Sequence, residues 1–473
     1  MTTPAAQVGR DGLTVGDPRR WWALAAVATA QLMLAVDGTI MNIALPSTTR
    51  DLALSGTATQ WVVTAYVLSF GALLLLGGRI GQRLGYRRAL LLGLTGFALA
   101  SLMGGLAVSG GLLIGARTAQ GVFGALMTPA ALALLSTTFP ATERGRAFGI
   151  FSTIMGSGSA IGVIAGGLLT EYLSWRWAMF VNVPIAGFAL LVTVFAVRSH
   201  RDEDRSPIDL TGALLATAGL CAVVYGLSAA KTHAWSGPGT LVPLSVGVVL
   251  LTAFVVVESR RRAPLFPLSL LRNRPRSAAY LAMLAWGIAI VSAFLFLSFF
   301  LQDVLGYGAA RAGLAFLPYP LAIQLGVRVV RRRMTQLQAR TLLTPGLALI
   351  GAGLFLLSRL TVDASYLPDV VVVFLLLGLG TSLVLPVTNS TVTLGAGPHS
   401  GVAAAMGATS QQIGAGLGTA WLTALAASAA ASYGGSARDS AAYGYTQASL
   451  VAGGTLIAAA LIVWFVAGRA RRS

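Results

Sequence analysis

Charge is what this chain has least of. Only 10% of its 473 residues are Asp, Glu, Lys or Arg, while 56% are hydrophobic, which leaves too little polar surface to cover a water-soluble globule. Lysine is almost absent, Lys231 being the one example, and no GxxxxGK[ST] phosphate-binding pattern occurs, so direct use of ATP has no motif to rest on. A single cysteine, Cys221, excludes an intrachain disulfide; its place in an apolar run predicts a packing role. The three histidines, His200, His233 and His399, fall in loops, and neither HExxH nor CxxC is found. No metal, cofactor or enzymatic chemistry is therefore expected. No connection is longer than about twenty residues, too short for a soluble catalytic domain.

Long apolar runs are what the chain has in quantity. A helix needs about 20 residues to cross a hydrocarbon core of about 30 Å, and fourteen such runs are legible. The first, read from about residue 21 to Leu45, follows a polar stretch and is too long for a signal-peptide core, so it reads as a retained span. Basic clusters recur in gaps of one parity: Arg79, Arg83, Arg87 and Arg88, then Arg260, Arg261 and Arg262, then Arg331, Arg332 and Arg333. With a cytoplasmic N-terminus the inner segments together carry the whole +18 and the outer gaps net to zero. The positive-inside rule then puts both termini in the cytoplasm. Because the basic residues are dispersed over short loops, the expected partners are a lipid bilayer and a small-molecule substrate, and not nucleic acid.

The spans divide unevenly. The connections at 198–209 and 258–276 are longer and charged, and they bracket two spans with few interior polar groups. The reading is an all-α integral membrane protein with these parts: a cytoplasmic tail (1–20), an N-terminal six-helix half (21–198), an inserted helix pair with its loops (199–274), a C-terminal six-helix half (275–467) and a second cytoplasmic tail (468–473). Two such halves with a site between them are an arrangement common in secondary transporters. The chain is expected to act as a monomer.

Two ionisable residues lie deep in apolar runs, Asp37 in span one and Arg117 in span four. Each costs at least about 2.5–3.5 kcal/mol at mid-membrane when uncompensated, so such residues face a cavity or a partner. At 1.5 Å per residue both sit about 10–12 Å below the outer boundary, which permits a pair. The readings are a proton-coupling pair or a static structural one. Asn42, Tyr66, Gln120, Asn182, Trp286, Asn389, Gln411 and Gln412 are further polar or aromatic residues within spans. Singly each suits an interhelical hydrogen bond; as a set they are candidates for a substrate cavity. Gln302 and Asp303 are placed at the membrane surface. Trp21, Trp22, Trp61, Trp175 and Trp177 are placed in an interfacial aromatic belt.

The motifs around these residues resemble those of the major facilitator superfamily, in particular its fourteen-span drug:proton antiporters. Leu34-Ala-Val-Asp37-Gly-Thr39-Ile-Met-Asn42-Ile-Ala-Leu-Pro46 is similar to the first-helix motif LDxTxVNVALP. Gly78, Gln82, Arg83, Gly85, Arg87 and Arg88 stand in a loop resembling GxLaDRxGrkr, and Arg117-Thr-Ala-Gln120-Gly121 matches RxxQG. Gly158, Gly162, Gly166 and Gly167 resemble the antiporter motif GxxxGPxxGG, and Trp175 to Pro184 is similar to WRWxFxxNxP. The C-terminal half matches more loosely, through Leu301 to Gly306 and Gln411 to Gly418. The resemblance implies proton-driven export by alternating access, with Asp37 as proton carrier, Arg117 influencing its proton affinity, and the loop after span two acting as a conformational latch. Rival readings are a metabolite importer or facilitator on the same fold, and a non-transporting receptor or scaffold. Two positions depart from the pattern. Gln82 replaces the acidic latch residue, leaving only a neutral hydrogen bond, and Val163 replaces the motif proline, removing an expected kink. Spans ten to fourteen carry no acidic residue at mid-depth, which predicts a neutral, weakly charged or anionic substrate.

Overall fold

The computed structural model describes residues 19–139, 141–197, 209–230, 235–261, 264, 268–333, 338–361, 364–394 and 400–468. His200, His233, His399, Lys231, Arg262 and nearly all of both tails lie outside them. Sixteen α-helices and three short helical turns, Leu268–Arg272, Phe300–Val304 and Tyr366–Val370, make up most of the described chain; the helices are α1 (Arg19–Asp51), α2 (Gly56–Leu84), α3 (Tyr86–Gly105), α4 (Gly110–Thr138), α5 (Ala141–Tyr172), α6 (Trp177–Phe180), α7 (Asn182–Ala196), α8 (Leu210–Ala229), α9 (Pro238–Arg260), α10 (Arg274–Phe299), α11 (Ala309–Ala315), α12 (Pro318–Arg333), α13 (Ala339–Leu357), α14 (Val371–Thr393), α15 (Ser400–Ser432) and α16 (Ala437–Ala467). Among the described residues there is no strand. Thirteen stretches are long and apolar enough to cross a membrane, and Ala160–Tyr172 is a shorter apolar one. Two crossings are interrupted, α6 with α7 and α11 with α12. In each a proline, Pro184 or Pro320, withdraws the N–H that the carbonyl of Phe180 or Phe316 would have bonded. The result is fourteen crossings of an integral membrane protein.

Local chemistry sets where the helices begin. The hydroxyl of Ser55 accepts from Ala58 N at 3.2 Å, and the carboxylate of Asp209 from Gly212 N at 2.8 Å. Asn273 does the same for Arg276 N at 3.1 Å, with Pro275 in the first turn. Each satisfies an N–H that has no partner within its helix. Between α2 and α3 the chain turns on Gly85 alone, at φ +85°, a backbone conformation that a side chain would strain.

Helices α1–α7 pack on one another, α10–α16 on one another, and α8 with α9 form a pair set mainly against α2 and α15. Helix α9 is apolar on every face and mostly unburied, whereas α10 is buried along most of its length. A helix that exposes Val242, Val246, Val248 and Val249 is stable only with lipid around it.

Since the crossings are even in number, Arg19 and Ala467 lie on one side of the bundle. The halves meet at the other, far side. There α1 touches α10, α5 touches α11, and α2 touches α15. Pro46 inside α1 leaves the carbonyl of Asn42 without an i+4 donor, and Ser298 of α10 supplies a replacement. Ser298 Oγ donates to Asn42 O at 2.8 Å, and Gln302 Nε2 donates to Ile43 O at 3.1 Å. Gln302 is thus buried rather than placed at the membrane surface, while Asp303 stays partly exposed and pairs with Arg50 at 3.2 Å. Gln60 ties three parts together: its amide donates to Ser228 of α8 at 2.7 Å and its oxygen accepts from Thr423 of α15 at 2.8 Å.

Three further expectations are corrected. Trp175 is only 4% exposed, and its indole donates to Asp51 at 2.8 Å; a buried N–H needs such a partner, so this ring is not a surface anchor. Cys221 is exposed on α8 rather than packed, because it lies opposite the Gly219, Val223 and Gly226 side that packs on α9. Helix α1 continues through Pro46 to Asp51 instead of ending near Leu45.

Close backbone approach on α5 depends on glycine. A Cβ at Gly162 would lie 2.7 Å from Val36 O and closer still to Thr39 Oγ1, and one at Gly166 would lie 2.9 Å from Ile40 O. Val163 keeps α5 unbroken, and Gly313 of α11 packs against its carbonyl. Replacing Gly162 by Val is expected to destabilise the α1–α5 seam by about 1–3 kcal/mol; an unchanged thermal unfolding curve in detergent would count against this packing. The doubly substituted Ser298→Ala/Gln302→Leu chain should loosen the far side. With Cys221 replaced by Ser, a Leu45→Cys probe should react with a water-soluble maleimide about tenfold faster than in the parent, and equal rates would dismiss these bonds as a tie between the halves.

Candidate functional site

The site is built on α1 where it crosses α4 and the break between α6 and α7. Asp37 is completely buried, and Arg117 is 2% exposed. Arg117 Nη1 donates to Asp37 Oδ2 at 2.6 Å and to Gln120 Oε1 at 2.8 Å. The equal depths read from the two sequence positions are a direct ion pair in the structure.

Three side chains donate to the carboxylate. Besides Arg117, Gln120 Nε2 reaches Asp37 Oδ1 at 3.1 Å and Asn182 Nδ2 reaches the same oxygen at 2.8 Å. Gln120 is fixed in turn by donating to Ser101 Oγ at 2.8 Å. Arg117 is fixed by donating through Nε to Val62 O at 3.3 Å and by lying 4.1 Å over the Tyr66 ring. A guanidinium is planar and weakly hydrated, which suits a carboxylate on one edge and an aromatic face below. Spacing explains the convergence: Arg117 and Gln120 are one turn apart on α4 and so point the same way. Asn182 opens α7 just after the broken turn. Met33 and Met41, one turn on either side of Asp37, are buried and exclude water.

Tyr66, Gln120 and Asn182 therefore surround the ion pair and do not stand apart as a substrate cavity. Asn42 lies one turn beyond, its amide donating to Gly38 O at 3.3 Å. Trp286 belongs to a second cluster in the C-terminal half, where its indole donates to Thr381 Oγ1 at 3.0 Å. Tyr319, which the sequence reading did not single out, donates to the same hydroxyl at 3.3 Å. Gln411 and Gln412 are half-buried where α15 crosses α10 and α2; a Cβ on Gly71 of α2 would come within 2.6 Å of Gln412 Cβ. Asn389 is exposed near the end of α14, away from both clusters. Ser101, Ser298 and Gln60 were also missed. Pro46 was the available signal for the second, since a proline within a span announces a free carbonyl.

The loop after α2 sits on the side of the termini. Gln82 accepts from Arg79 at 3.4 Å within α2 itself, and Arg79 also reaches Pro264 O at 3.3 Å. Arg87 donates to Val194 O at 3.0 Å, in the last turn of α7. Arg83 and Arg88 are exposed. Gly78 lies 3.5 Å, measured from an added Cβ, from Pro129 of α4. Gly158, Gly162 and Gly166 face α1, and Gly167 faces Ala309 and Ala310 of α11. Among the described residues no group of three or more His, Cys, Asp or Glu is placed to hold a metal ion.

Comparison with known proteins agrees with this architecture. The family model described as "Major Facilitator Superfamily" matches residues 27–419. The chain is 42% identical over 460 residues to the puromycin resistance protein pur8 of Streptomyces alboniger, covering 95% of this chain and 91% of that one. It is 40% identical to the cephamycin export protein CmcT of Amycolatopsis lactamdurans, covering 85% and 84%. The multidrug efflux pump LfrA of Mycolicibacterium smegmatis is 32% identical, covering 88% and 82%. Among solved structures, the POT family transporter PepTSo superposes with a TM-score of 0.69 at 16% identity, covering 95% and 97%, a likeness of fold. The family match along most of the chain and these relatives place it within the major facilitator superfamily.

Proposed function

We propose that this chain is a proton-coupled exporter of a small organic compound, such as an antibiotic, drug or secondary metabolite, in a bacterial cytoplasmic membrane. The observation that carries this reading is the fully buried Asp37–Arg117 pair at 2.6 Å, on the helix that also meets the opposite half through Ser298 and Gln302. The names of the relatives, which include an export protein and a multidrug efflux pump, support outward transport of such compounds. The distribution of arginine supports cytoplasmic termini, and the far side then faces outward.

The chemistry follows from the donor set. With Asp37 ionised, Arg117, Gln120 and Asn182 all point N–H bonds at it, and α1, α4 and α7 are drawn together. A proton arriving on the carboxylate cancels the charge that holds Arg117. The guanidinium then depends on Gln120, Val62 O and the Tyr66 face, and α1 is freer to move against α4. Loss of the proton restores the pair. Since Asp37 is closed off in the conformation described, exchange of its proton belongs to conformations in which the halves have separated on one side, which links titration to alternating access. No buried acidic residue occurs in the described parts of α11–α16, which favours a neutral, weakly charged or anionic substrate over a dication.

Replacing Asp37 by Asn should abolish substrate movement driven by a pH gradient in proteoliposomes, because an amide does not cycle a proton, while the protein still folds. Proton-driven transport that persists in this variant would remove Asp37 as the carrier. Uptake of substrate along an inward proton gradient, in place of expulsion, would identify an importer.

A further inference from the structure

Asn182 is the first residue of α7 and completely buried. Its Nδ2 donates to Asp37 Oδ1 at 2.8 Å, yet its Oδ1 is buried with no hydrogen-bond partner. A buried amide oxygen left unmatched is costly, on the order of 1–3 kcal/mol. Such a group next to the one buried carboxylate among the described residues of the N-terminal half calls for a reason.

The ionised carboxylate only accepts hydrogen bonds, but its protonated form must also donate one. Of its three neighbours, Arg117 has no acceptor atom. Gln120 is committed at both ends, with Oε1 taking Arg117 Nη1 and Nε2 serving Asp37 and Ser101, so turning its amide would break all three bonds. Asn182 alone has a free acceptor. Its oxygen and nitrogen are nearly equal in size, and a half-turn of the amide exchanges them with no change of volume.

Resting on the proton-coupling reading above, we infer that Asn182 is a positioning residue that turns its amide with the protonation of Asp37. It donates to the carboxylate and accepts from the carboxylic acid. The only covalent change is one O–H bond formed on Asp37 Oδ1 from an incoming proton and broken when it leaves; Asn182 exchanges hydrogen bonds only. Each state of Asp37 is thereby bonded, and the switch between them is carried to the break between α6 and α7. The charged and titratable groups that face Asp37 are Arg117 from α4 and, beneath it, Tyr66 from α2. On α5 and α11 the described ionisable residues Glu171 and Arg311 stand near the ends, Asp303 lies in the turn beyond the end of α10, and α6 and α7 carry none.

The test is infrared difference spectroscopy of the purified full chain between low and high pH. A protonated-carboxyl band present in the parent and absent from Asp37→Asn belongs to Asp37; absence of any such band would undo the proton-coupling reading itself. In Asn182→Leu the hydroxyl of the acid loses its acceptor, so this band should move to higher wavenumber. Asn182→Ser, whose hydroxyl both donates and accepts, should bring it back toward the parent position. The pH profile of transport should also shift toward higher pH by about one unit in Asn182→Leu, since the charge-assisted bond it removes is the stronger of the two. If Asn182→Leu does not fold, asparagine-labelled parent protein decides the matter, because the labelled amide band must change together with the Asp37 band. An Asp37 band that stays in place in Asn182→Leu, or a labelled amide that ignores it, overturns the inference.

Discussion

One ion pair, placed where water is excluded, constrains most of the N-terminal half. Either charge alone at this depth would cost several kcal/mol, and a buried pair repays that cost only when the remaining lone pairs and N–H bonds are also satisfied. The cluster meets that condition through specific side chains: Gln120, itself held by Ser101, and Asn182 around Asp37, and the Val62 carbonyl and Tyr66 ring around Arg117. Five helical segments, α1, α2, α3, α4 and α7, supply these groups. Their relative positions are therefore set by hydrogen-bond geometry, which tolerates errors of a few tenths of an ångström, and not by apolar packing alone. A lipid-like core is far less demanding.

The segment between α5 and α7 holds α1 at two carboxylates. Trp175 and Arg176 both donate to Asp51 Oδ2, at 2.8 and 2.9 Å, and Asn182 donates to Asp37. The two points are fourteen residues apart on α1, about 21 Å along a helix. Between them lies Pro46, which interrupts the internal bonding of α1 and opens the Asn42 carbonyl to Ser298 of the other half, with Gln302 bonding the neighbouring Ile43 carbonyl. A rigid helix fixed at two points would resist bending. One with an interrupted ladder between them bends more easily there, and the opposite half holds it at that point through the Asn42 and Ile43 carbonyls.

The sequence made the architecture legible because span count and arginine placement follow from the dielectric of the bilayer and need no tertiary detail. Asp37 and Arg117 were equally legible: each stands out in an apolar run, and helical rise alone put them at one depth. What the sequence did not reveal was direction. Tyr66, Gln120 and Asn182 were visible as polar residues in spans, but whether they face a cavity or a neighbour depends on helix rotation, which a span without clear amphipathicity does not specify. Trp175 shows the same limit: a tryptophan near a span end reads as an interfacial anchor, and only the fold reveals Asp51 beneath its N–H. For Cys221 and Gln302 the error ran through burial. In lipid an apolar residue need not be inside, and a polar residue near a span end need not be outside when a backbone carbonyl of a facing helix lies within reach.

The seams between helices differ in a way that bears on motion. Contacts of α5 with α1 and α11 bring backbone close to backbone at Gly162, Gly166, Gly167 and Gly313, Gly158 receives the Ala35 and Leu32 side chains, and α15 meets α10 through Gly414, Gly418 and Gly287. Such faces gain dispersion from close approach and Cα–H contacts, and their glycine side has no side chain to interlock. The cross-half contacts on the far side add only a few directional bonds, chiefly those of Gln60, Ser298, Gln302 and Glu171, the last accepting from Ala310 N at 2.7 Å at the start of α11. A handful of bonds worth about 1 kcal/mol each over a smooth seam holds the halves together weakly on this side. On the proposed reading, that weak hold is what the protonation of Asp37 acts against.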